Sequence, residues 1–224
     1  MQLDYEIIYS KRKTLGITVE RDSRVIVHAP EGMSAEKIEK AVDSKKLWLF
    51  EKTQHVQKYP KVKQQKEFVT GGTLLYLGRN YRLEIVSDTL PDIEFHAKFI
   101  IGREKQALAR ELFQQWYETR AKERLNLRSR YFAKAMGVSF NRVMVSDLKY
   151  RWGSCTPNNN LNFNWRIIKA PSYVIDYLVI HELAHLLESN HTRRFWNIIA
   201  VQMPRLQEAR EWLKTHGNLL EVDF

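Results

Sequence analysis

The chain has 224 residues, is 44% apolar and carries a formal net charge of +10 at pH 7. A chain of this length suits one large domain or two small ones, and this apolar fraction is sufficient for a buried core. It contains no run of about 18 apolar residues, so no transmembrane helix is expected. Cys155 is its single cysteine, and we therefore expect no internal disulfide and no cysteine-based zinc site.

The first residues of the chain lack the apolar segment of a signal peptide. Together with the single cysteine, this predicts a cytoplasmic protein without a membrane partner. The positive charge makes nucleic acid, nucleotides or acidic surfaces conceivable partners. Because lysine and arginine are spread over the whole chain, a solvated basic surface is the favoured interpretation, and nucleic-acid binding is not favoured.

Residues 1–102 have the pattern of a β-rich region with one helix. Three short strands are predicted at residues 5–9, 16–20 and 24–28, with a hairpin turn at Asp22 and Ser23. Ser34 is expected to cap a helix over residues 35–57, followed by a polar loop at 59–66. The inner side of this helix is expected to carry Ile38, Val42, Leu47 and Trp48. Further strands are predicted at residues 73–77, 80–86 and 94–101, with a turn at Gly78 and Arg79 between the first two.

Residues 103–224 have a mainly helical pattern. Apolar residues near helical spacing predict a helix that ends at Gly137; they are Leu108, Leu112, Trp116, Leu127 and Tyr131. Strands at 142–147 and 161–165, joined by a long turn over 153–160, precede helices over 172–188 and 192–202. A last helix follows Pro204 and ends near Gly217. We therefore expect an α+β fold, with a β-rich region at 1–102 and a compact helical domain with a small antiparallel sheet at 103–224.

The apolar stretch at residues 173–187 contains the sequence His-Glu-Leu-Ala-His, which begins at His181 and ends at His185. On a helix, two histidines four residues apart lie on one face, so both imidazoles can bind one ion at about 2.0–2.1 Å. Glu182 can then take a proton from a metal-bound water without being a ligand itself. Three protein ligands leave a fourth position for water or substrate, which predicts one catalytic zinc ion.

His191 is the favoured third ligand. Continuing the helix for six residues would turn it about 240° away from His185, so the chain must leave the helix between Glu188 and His191. Asn190 suits such an exit because asparagine tolerates the left-handed conformation, and Thr192 can cap the next helix. Glu188 is the alternative third ligand, since it lies three residues after His185 on the same face.

With these residues in hand, the sequence resembles the YgjP-like family of predicted metal-dependent hydrolases, which is related to the SprT-like and WLM domains of the zincin superfamily. The residues that carry the resemblance are Arg151-Trp-Gly-Ser-Cys155, Leu161-Asn-Phe-Asn-Trp165, Pro171, Asp176-Tyr177, His181 to His185, Asn190-His-Thr-Arg-Arg-Phe-Trp196, Pro204 and Trp212. The resemblance implies a zincin-like domain at 103–224. It also implies that the three histidines are ligands and that Glu182 is the base.

Five residues near the motif are candidates for substrate binding: Arg151, Trp152, Ser154, Asn162 and Asn164. They lie on or beside two predicted strands, and a strand edge next to a zincin metal commonly pairs with extended substrate. A structural ion pair of Arg151 and core packing of Trp152 are equally good interpretations. Cys155 is more plausible as a small buried residue than as a ligand. Phe195 and Trp196 are expected to hold His191 in place.

The favoured hypothesis is a metallopeptidase, whose substrate is a peptide. A metal-dependent hydrolase of nucleoside triphosphates is the alternative, because triphosphate hydrolysis has been attributed within the family that the chain resembles. Its phosphate ligands would be Lys149, Arg151, Arg193 and Arg194. A nucleic-acid-binding module with structural zinc ranks last, since structural zinc sites normally have four protein ligands.

Overall fold

The computed structural model describes residues 4–19, 25–54, 67–88, 90, 92–148 and 151–221. The chain forms two compact units, Met1–Val62 and Lys63–Phe224. The boundary expected at residues 102 and 103 therefore lies inside the second unit, because Leu83 and Phe99 before it share one apolar core with Phe113 after it. Helices combined with small separate sheets confirm the expected α+β class.

The first unit contains a three-stranded sheet in the order β1-β3-β2. Its strands are β1 (Tyr5–Ser10), β2 (Gly16–Val19) and β3 (Val25–Pro30). β3 pairs with β1 in parallel and with β2 antiparallel. The three predicted strands are thus confirmed to within two residues at each end. The hairpin turn expected at Asp22 and Ser23 lies outside the described residues.

The single helix expected over residues 35–57 is wrong: there are two, α1 (Ala35–Asp43) and α2 (Lys46–Gln54). The hydroxyl of Ser44 donates a hydrogen bond to the carbonyl of Ala41 at 2.8 Å, a local bond that competes with continuation of the helix. The interruption changes which residues face inward. Leu49 is buried, whereas Leu47 is 74% exposed and Trp48 is also exposed. Residues 55–57 and the loop expected at 59–66 lie outside the described residues.

The second unit begins with a four-stranded sheet in the order β4-β5-β7-β6. Its strands are β4 (Thr73–Tyr76), β5 (Arg79–Val86), β6 (Glu94–Phe95) and β7 (Phe99–Gly102). The turn between β4 and β5 is formed by Leu77 and Gly78, both with positive φ, one residue earlier than expected. The single strand expected at 94–101 is two strands, because the chain turns at Ala97, whose φ is 57°.

A 3₁₀ helix at Arg103–Leu108 leads into α3 (Ala109–Met136), which ends at Gly137 in the left-handed conformation, as expected. Its buried face differs from the expected one. Leu108, Leu127 and Tyr131 are exposed. The buried residues of α3 are Ala109, Phe113, Tyr117, Ala121, Leu125, Ser129, Phe132 and Ala133. Four of these eight residues are alanine or serine, and such small side chains allow close packing against the neighbouring elements.

The described residues in the rest of the second unit form a small sheet, a 3₁₀ helix and three α-helices. The strands are β8 (Val143–Ser146), β9 (Gly153–Cys155) and β10 (Leu161–Asn164), in the order β8-β10-β9. The helices are a 3₁₀ helix (Trp165–Lys169), α4 (Ser172–Ala184), α5 (Arg193–Gln202) and α6 (Leu206–Glu221).

Three expectations for this region are corrected by the structure. The sheet is mixed rather than antiparallel, because β10 runs parallel to β8. The turn expected over residues 153–160 begins with a strand, β9, which pairs with β10. Three residues are too few to show a strand pattern in the sequence. The last helix continues through Gly217, which is buried, to Glu221. Within the described residues, no helix is long and apolar enough to cross a membrane.

Candidate metal centre

The helix α4 is buried on nearly all sides, which explains why its sequence is apolar throughout rather than amphipathic. It packs against α3, α5, α6 and β9. Its one acidic residue before the motif, Asp176, forms a bidentate ion pair with Arg128 of α3, at 2.6 and 2.8 Å. This pair is less than one quarter exposed. α3 therefore fixes the position of the helix that carries the two motif histidines.

The chain leaves α4 earlier than the sequence predicted. α4 ends at Ala184 and His185 stands at its C-terminus, followed by short turns in which Leu186 donates to the carbonyl of Leu183. A tight turn around His191 is closed by a 2.7 Å hydrogen bond from the amide of Thr192 to the carbonyl of Asn190. Among the described residues, Asn190 is not one of those with positive φ, so the return does not use the left-handed conformation that was expected.

Thr192 caps α5 as predicted: its hydroxyl accepts a hydrogen bond from the amide of Phe195 at 3.3 Å. Because the cap fixes where α5 begins, it also fixes the residue just before it, His191. The return of the chain thus brings His191 close to His181 and His185.

The three imidazoles converge. One ring nitrogen each of His181, His185 and His191 lies within 4.8 Å of the others, and these residues are called the three-histidine cluster below. The Nε2 atoms of His181 and His191 are 3.0 Å apart. Two ligands of one tetrahedral zinc ion at about 2.0–2.1 Å are separated by about 3.3 Å, so this spacing fits a shared ion. An all-imidazole donor set suits zinc among the common divalent metals.

Two aromatic residues hold the cluster. The ring of Phe195, fully buried, lies 4.9, 4.6 and 4.7 Å from the rings of His181, His185 and His191. Trp196 stacks on His191 with centroids 5.7 Å apart and an interplanar angle of 26°. Both residues therefore contact His191, as the sequence predicted.

Two imidazoles have a polar group beside their second nitrogen. The hydroxyl of Tyr177 lies 3.5 Å from Nδ1 of His181, and the carbonyl of Glu188 lies 3.3 Å from Nδ1 of His185. A partner at Nδ1 leaves Nε2 free to bind a metal. Glu188 thus acts through its backbone, and its carboxylate does not belong to the metal-binding group found among the described residues. The sequence analysis missed Tyr177, although it precedes His181 by one helical turn.

Glu182 is 3% exposed and faces β9. Burial raises the pKa of its carboxyl to about 8, while the charge of Arg151 and a hydrogen bond from the amide of Cys155 act in the opposite direction. Burial also lowers the pKa of His181 to about 3, with smaller contributions from the neighbouring cationic groups. Burial therefore favours the neutral imidazole of His181, the form that binds metal, and a carboxyl group at Glu182 that can hold a proton near neutral pH.

The five candidate substrate residues divide into two groups. Arg151 is exposed, Trp152 packs against the core, and Ser154 accepts a 3.3 Å hydrogen bond from the side chain of Asn162 across the strand pair. Asn164 is different, because it is 1% exposed and both ends of its amide are used. It donates to the carbonyl of Leu148 at 2.8 Å and accepts from the amide of Arg166 at 3.0 Å. Asn164 is therefore a structural cap and not a substrate contact.

The sequence also drew attention to Cys155, Lys149, Arg193 and Arg194. Cys155 is partly buried, and burial together with Glu182 raises the pKa of its thiol, which suits a neutral side chain. Arg193 and Arg194 are exposed at the start of α5, and Lys149 lies outside the described residues. Sequence reasoning also missed Arg210 of α6, whose guanidinium lies 4.3 Å from the centre of the Trp196 ring. No local pattern connects residues so far apart.

A buried helix that carries two histidines, together with a third histidine that the chain returns to it, forms a candidate metal-binding centre. The model of the YgjP-like metallopeptidase domain matches residues 13–216, and the chain belongs to this family. No curated protein matches the chain. Among solved structures, it is similar to the crystal structure of the metallopeptidase zymogen of Pyrococcus abyssi abylysin. That similarity covers 41% of this chain and 92% of the other, with 21% identity and a TM-score of 0.38.

Proposed function

We propose that this chain hydrolyses peptide bonds, with one zinc ion held by His181, His185 and His191 and with Glu182 as the general base. The observation that carries the proposal is the convergence of three imidazole nitrogens within 4.8 Å of one another. Glu182 adjoins the first of these histidines in sequence, and its buried carboxyl group lies against β9. Three protein ligands are the usual number in a catalytic zinc site.

A zinc ion bound there would lower the pKa of a water molecule and polarise the scissile carbonyl. Glu182 performs the proton transfers: it accepts a proton from the attacking water and delivers it to the departing amine. Its low exposure suits this role, because a desolvated carboxylate has a raised affinity for the proton. The amide of Cys155 hydrogen-bonds to Glu182 and keeps its carboxyl group in one position.

The sheet next to the helix supplies a binding edge. Among the described strands, β9 (Gly153–Cys155) is an outer strand of its sheet and pairs with β10 alone. An extended peptide can add a further strand to such an edge through main-chain hydrogen bonds. Arg151, Ser154 and Asn162 then contact substrate side chains, whereas Trp152 contributes mainly to the core.

The test combines metal analysis with a peptide library. Wild-type protein is expected to hold one zinc ion per chain and to cleave some of the peptides. Glu182→Gln is expected to keep the zinc and lose about 10²–10⁴-fold in kcat, the usual contribution of a positioned general base. Glu188→Gln is the matched control, because its carboxylate lies close in sequence but outside the metal-binding group. Its kcat should be unchanged.

Cleavage of peptides by Glu182→Gln at the wild-type rate would contradict the proposed role of Glu182. Absence of peptide cleavage by a zinc-loaded wild-type protein would contradict the proposed substrate. In that case, pyrophosphate release from nucleoside triphosphates, measured in the same preparations, would identify the alternative hydrolase. Its loss in Glu182→Gln would assign the reaction to this centre.

A further inference from the structure

His191 differs from the other two histidines of the cluster in how its ring is held. It is exposed and lies on the loop before α5, whereas His181 and His185 belong to the end of α4 and are partly buried. Tyr177 and Glu188 place a polar atom beside Nδ1 of those two imidazoles. Within the described residues, the hydrogen-bond contact of His191 is with Nε2 of His181, the atom with which it would share an ion.

Packing must therefore fix the plane of the His191 ring. Phe195 contacts it edge-on at 4.7 Å, but Phe195 lies at a similar distance from all three imidazoles and does not distinguish them. Trp196 lies nearly parallel to His191, at 26°. A stacked ring restricts rotation about the last torsion of the histidine side chain, which is otherwise broad.

Trp196 is itself held from another helix. The guanidinium of Arg210 lies over its indole ring at 4.3 Å, a cation–π contact between α6 and α5. Arg210 also donates a 3.2 Å hydrogen bond to the side chain of Gln207, one turn earlier on α6. The side chain of Arg210 is thus anchored at two points, and a continuous contact runs from α6 through Trp196 to the exposed ligand.

We infer that Trp196, held by Arg210, orients the imidazole of His191 and so sets the affinity of the three-histidine cluster for its metal ion. Trp196 is a positioning residue, because it acts through His191 and not on the substrate. The inference rests on the proposed metal site. Residues that orient a metal ligand typically contribute about 10–100-fold to metal affinity.

The chain contains a matched control pair. Trp212 of α6 stacks on His216 with centroids 5.2 Å apart and an interplanar angle of 17°, and it also packs against the core at its edge. Neither residue belongs to the metal-binding group. Trp196→Leu and Trp212→Leu therefore remove comparable stacked indoles, but only the first should change the metal site.

The experiment measures zinc affinity by competition with a chromophoric chelator, and the visible spectrum of the cobalt-substituted protein. Trp196→Leu is expected to weaken zinc binding at least 10-fold and to alter the cobalt spectrum, while Trp196→Phe, which can still stack, stays within about threefold of wild type. Trp212→Leu should match wild type. Equal affinities and spectra for Trp196→Leu and wild type would overturn the inference. If wild type binds no zinc, the proposed function itself fails.

Arg210→Gln tests the same point without a core substitution, in case Trp196→Leu does not fold. Removing a positive charge near a cation site strengthens binding if charge alone matters. Loss of the contact that holds Trp196 weakens zinc binding instead. We expect weaker zinc binding by threefold or more, and unchanged or tighter binding would contradict the role of Arg210.

Discussion

Gly153 lies so close to Glu182 that a Cβ atom on Gly153 would be 2.6 Å from the carboxyl oxygen Oε1 and 3.0 Å from Cδ. A separation under about 3.0 Å is too short for non-bonded heavy atoms of this kind, which attract best at about 3.5–4.0 Å. The absence of a side chain at position 153 therefore permits the buried carboxyl group to lie directly against β9.

The first prediction concerns this contact. Gly153→Ala should displace the carboxyl of Glu182 and reduce kcat by about 10–100-fold, because a misplacement of about 1 Å can cost that much. The zinc content should stay at one ion per chain. In a Glu182→Gln background the same substitution should add no further loss, since the group that it displaces no longer acts. A further loss of similar size in that background would indicate that Gly153 acts on something other than Glu182.

The second prediction concerns the metal-free protein. The ordinary pKa of a glutamate is 4.5, and burial raises that of Glu182 to about 8. Between these pH values the unfolded chain releases the proton and the folded chain keeps it, so the free energy of unfolding falls as pH rises from 4.5 to 8. Glu182→Gln removes this loss. Without metal, its free energy of unfolding should equal that of wild type near pH 4.5 and exceed it above pH 7 by about 3–5 kcal/mol, so its thermal midpoint should be higher there.

Zinc should shrink that difference, because a nearby cation favours the ionised carboxylate and returns the pKa toward its ordinary value. The measurement is a set of melting curves of both proteins across this pH range, with and without the ion. A difference that falls with rising pH would contradict the assignment of a raised pKa to Glu182.

The third prediction concerns the ion pair between Arg128 and Asp176. Asp176→Asn removes one partner of a bidentate, largely buried pair between α3 and α4 and should lower the free energy of unfolding by about 1–3 kcal/mol. The control is Glu208→Gln on α6, which removes the exposed ion-pair partner of Arg205. It should leave the urea midpoint unchanged. Equal midpoints for Asp176→Asn and wild type would exclude a stabilising role for the pair.

The fourth prediction separates two asparagines of one strand. Asn164→Ala leaves the carbonyl of Leu148 and the amide of Arg166 without their partner in the interior, and should cost about 1–3 kcal/mol of stability. Asn162→Ala should leave stability nearly unchanged and raise KM for a cleaved peptide, since Asn162 lies beside the strand edge proposed to bind substrate. Reversed effects of the two substitutions would contradict this assignment.

The sequence predicted that the three histidines would lie together, and the structure shows that their ring nitrogens do. The four-residue interval between His181 and His185 requires only helical geometry. The position of His191 beside the other two followed from the expectation that the chain leaves the helix and returns, and the cap residue Thr192 was identified correctly. What the sequence did not reveal was where α4 ends, because residues 185–188 continue in helix-like turns without a glycine or proline to mark the exit.

Other features of the fold depend on partners far away in the chain. Alanine and serine occupy half of the buried positions of α3, whereas Leu127 and Tyr131 lie on its exposed face. An apolar pattern alone therefore selects the wrong side. Tyr131 lies under the guanidinium of Arg128 at 4.7 Å, which gives its exposed ring a partner. Likewise, β9 exists through its pairing with β10, and Arg210 reaches the site only through the packing of α6.

The most direct test of the account is the zinc content of the dialysed protein, measured by mass spectrometry for wild type, the three single variants His181→Ala, His185→Ala and His191→Ala, and Glu188→Ala. We predict one zinc ion per chain in wild type and in Glu188→Ala, and much less than one in each histidine variant. A wild-type protein without zinc, or a His191→Ala protein that keeps a full equivalent, would contradict a site built from these three imidazoles.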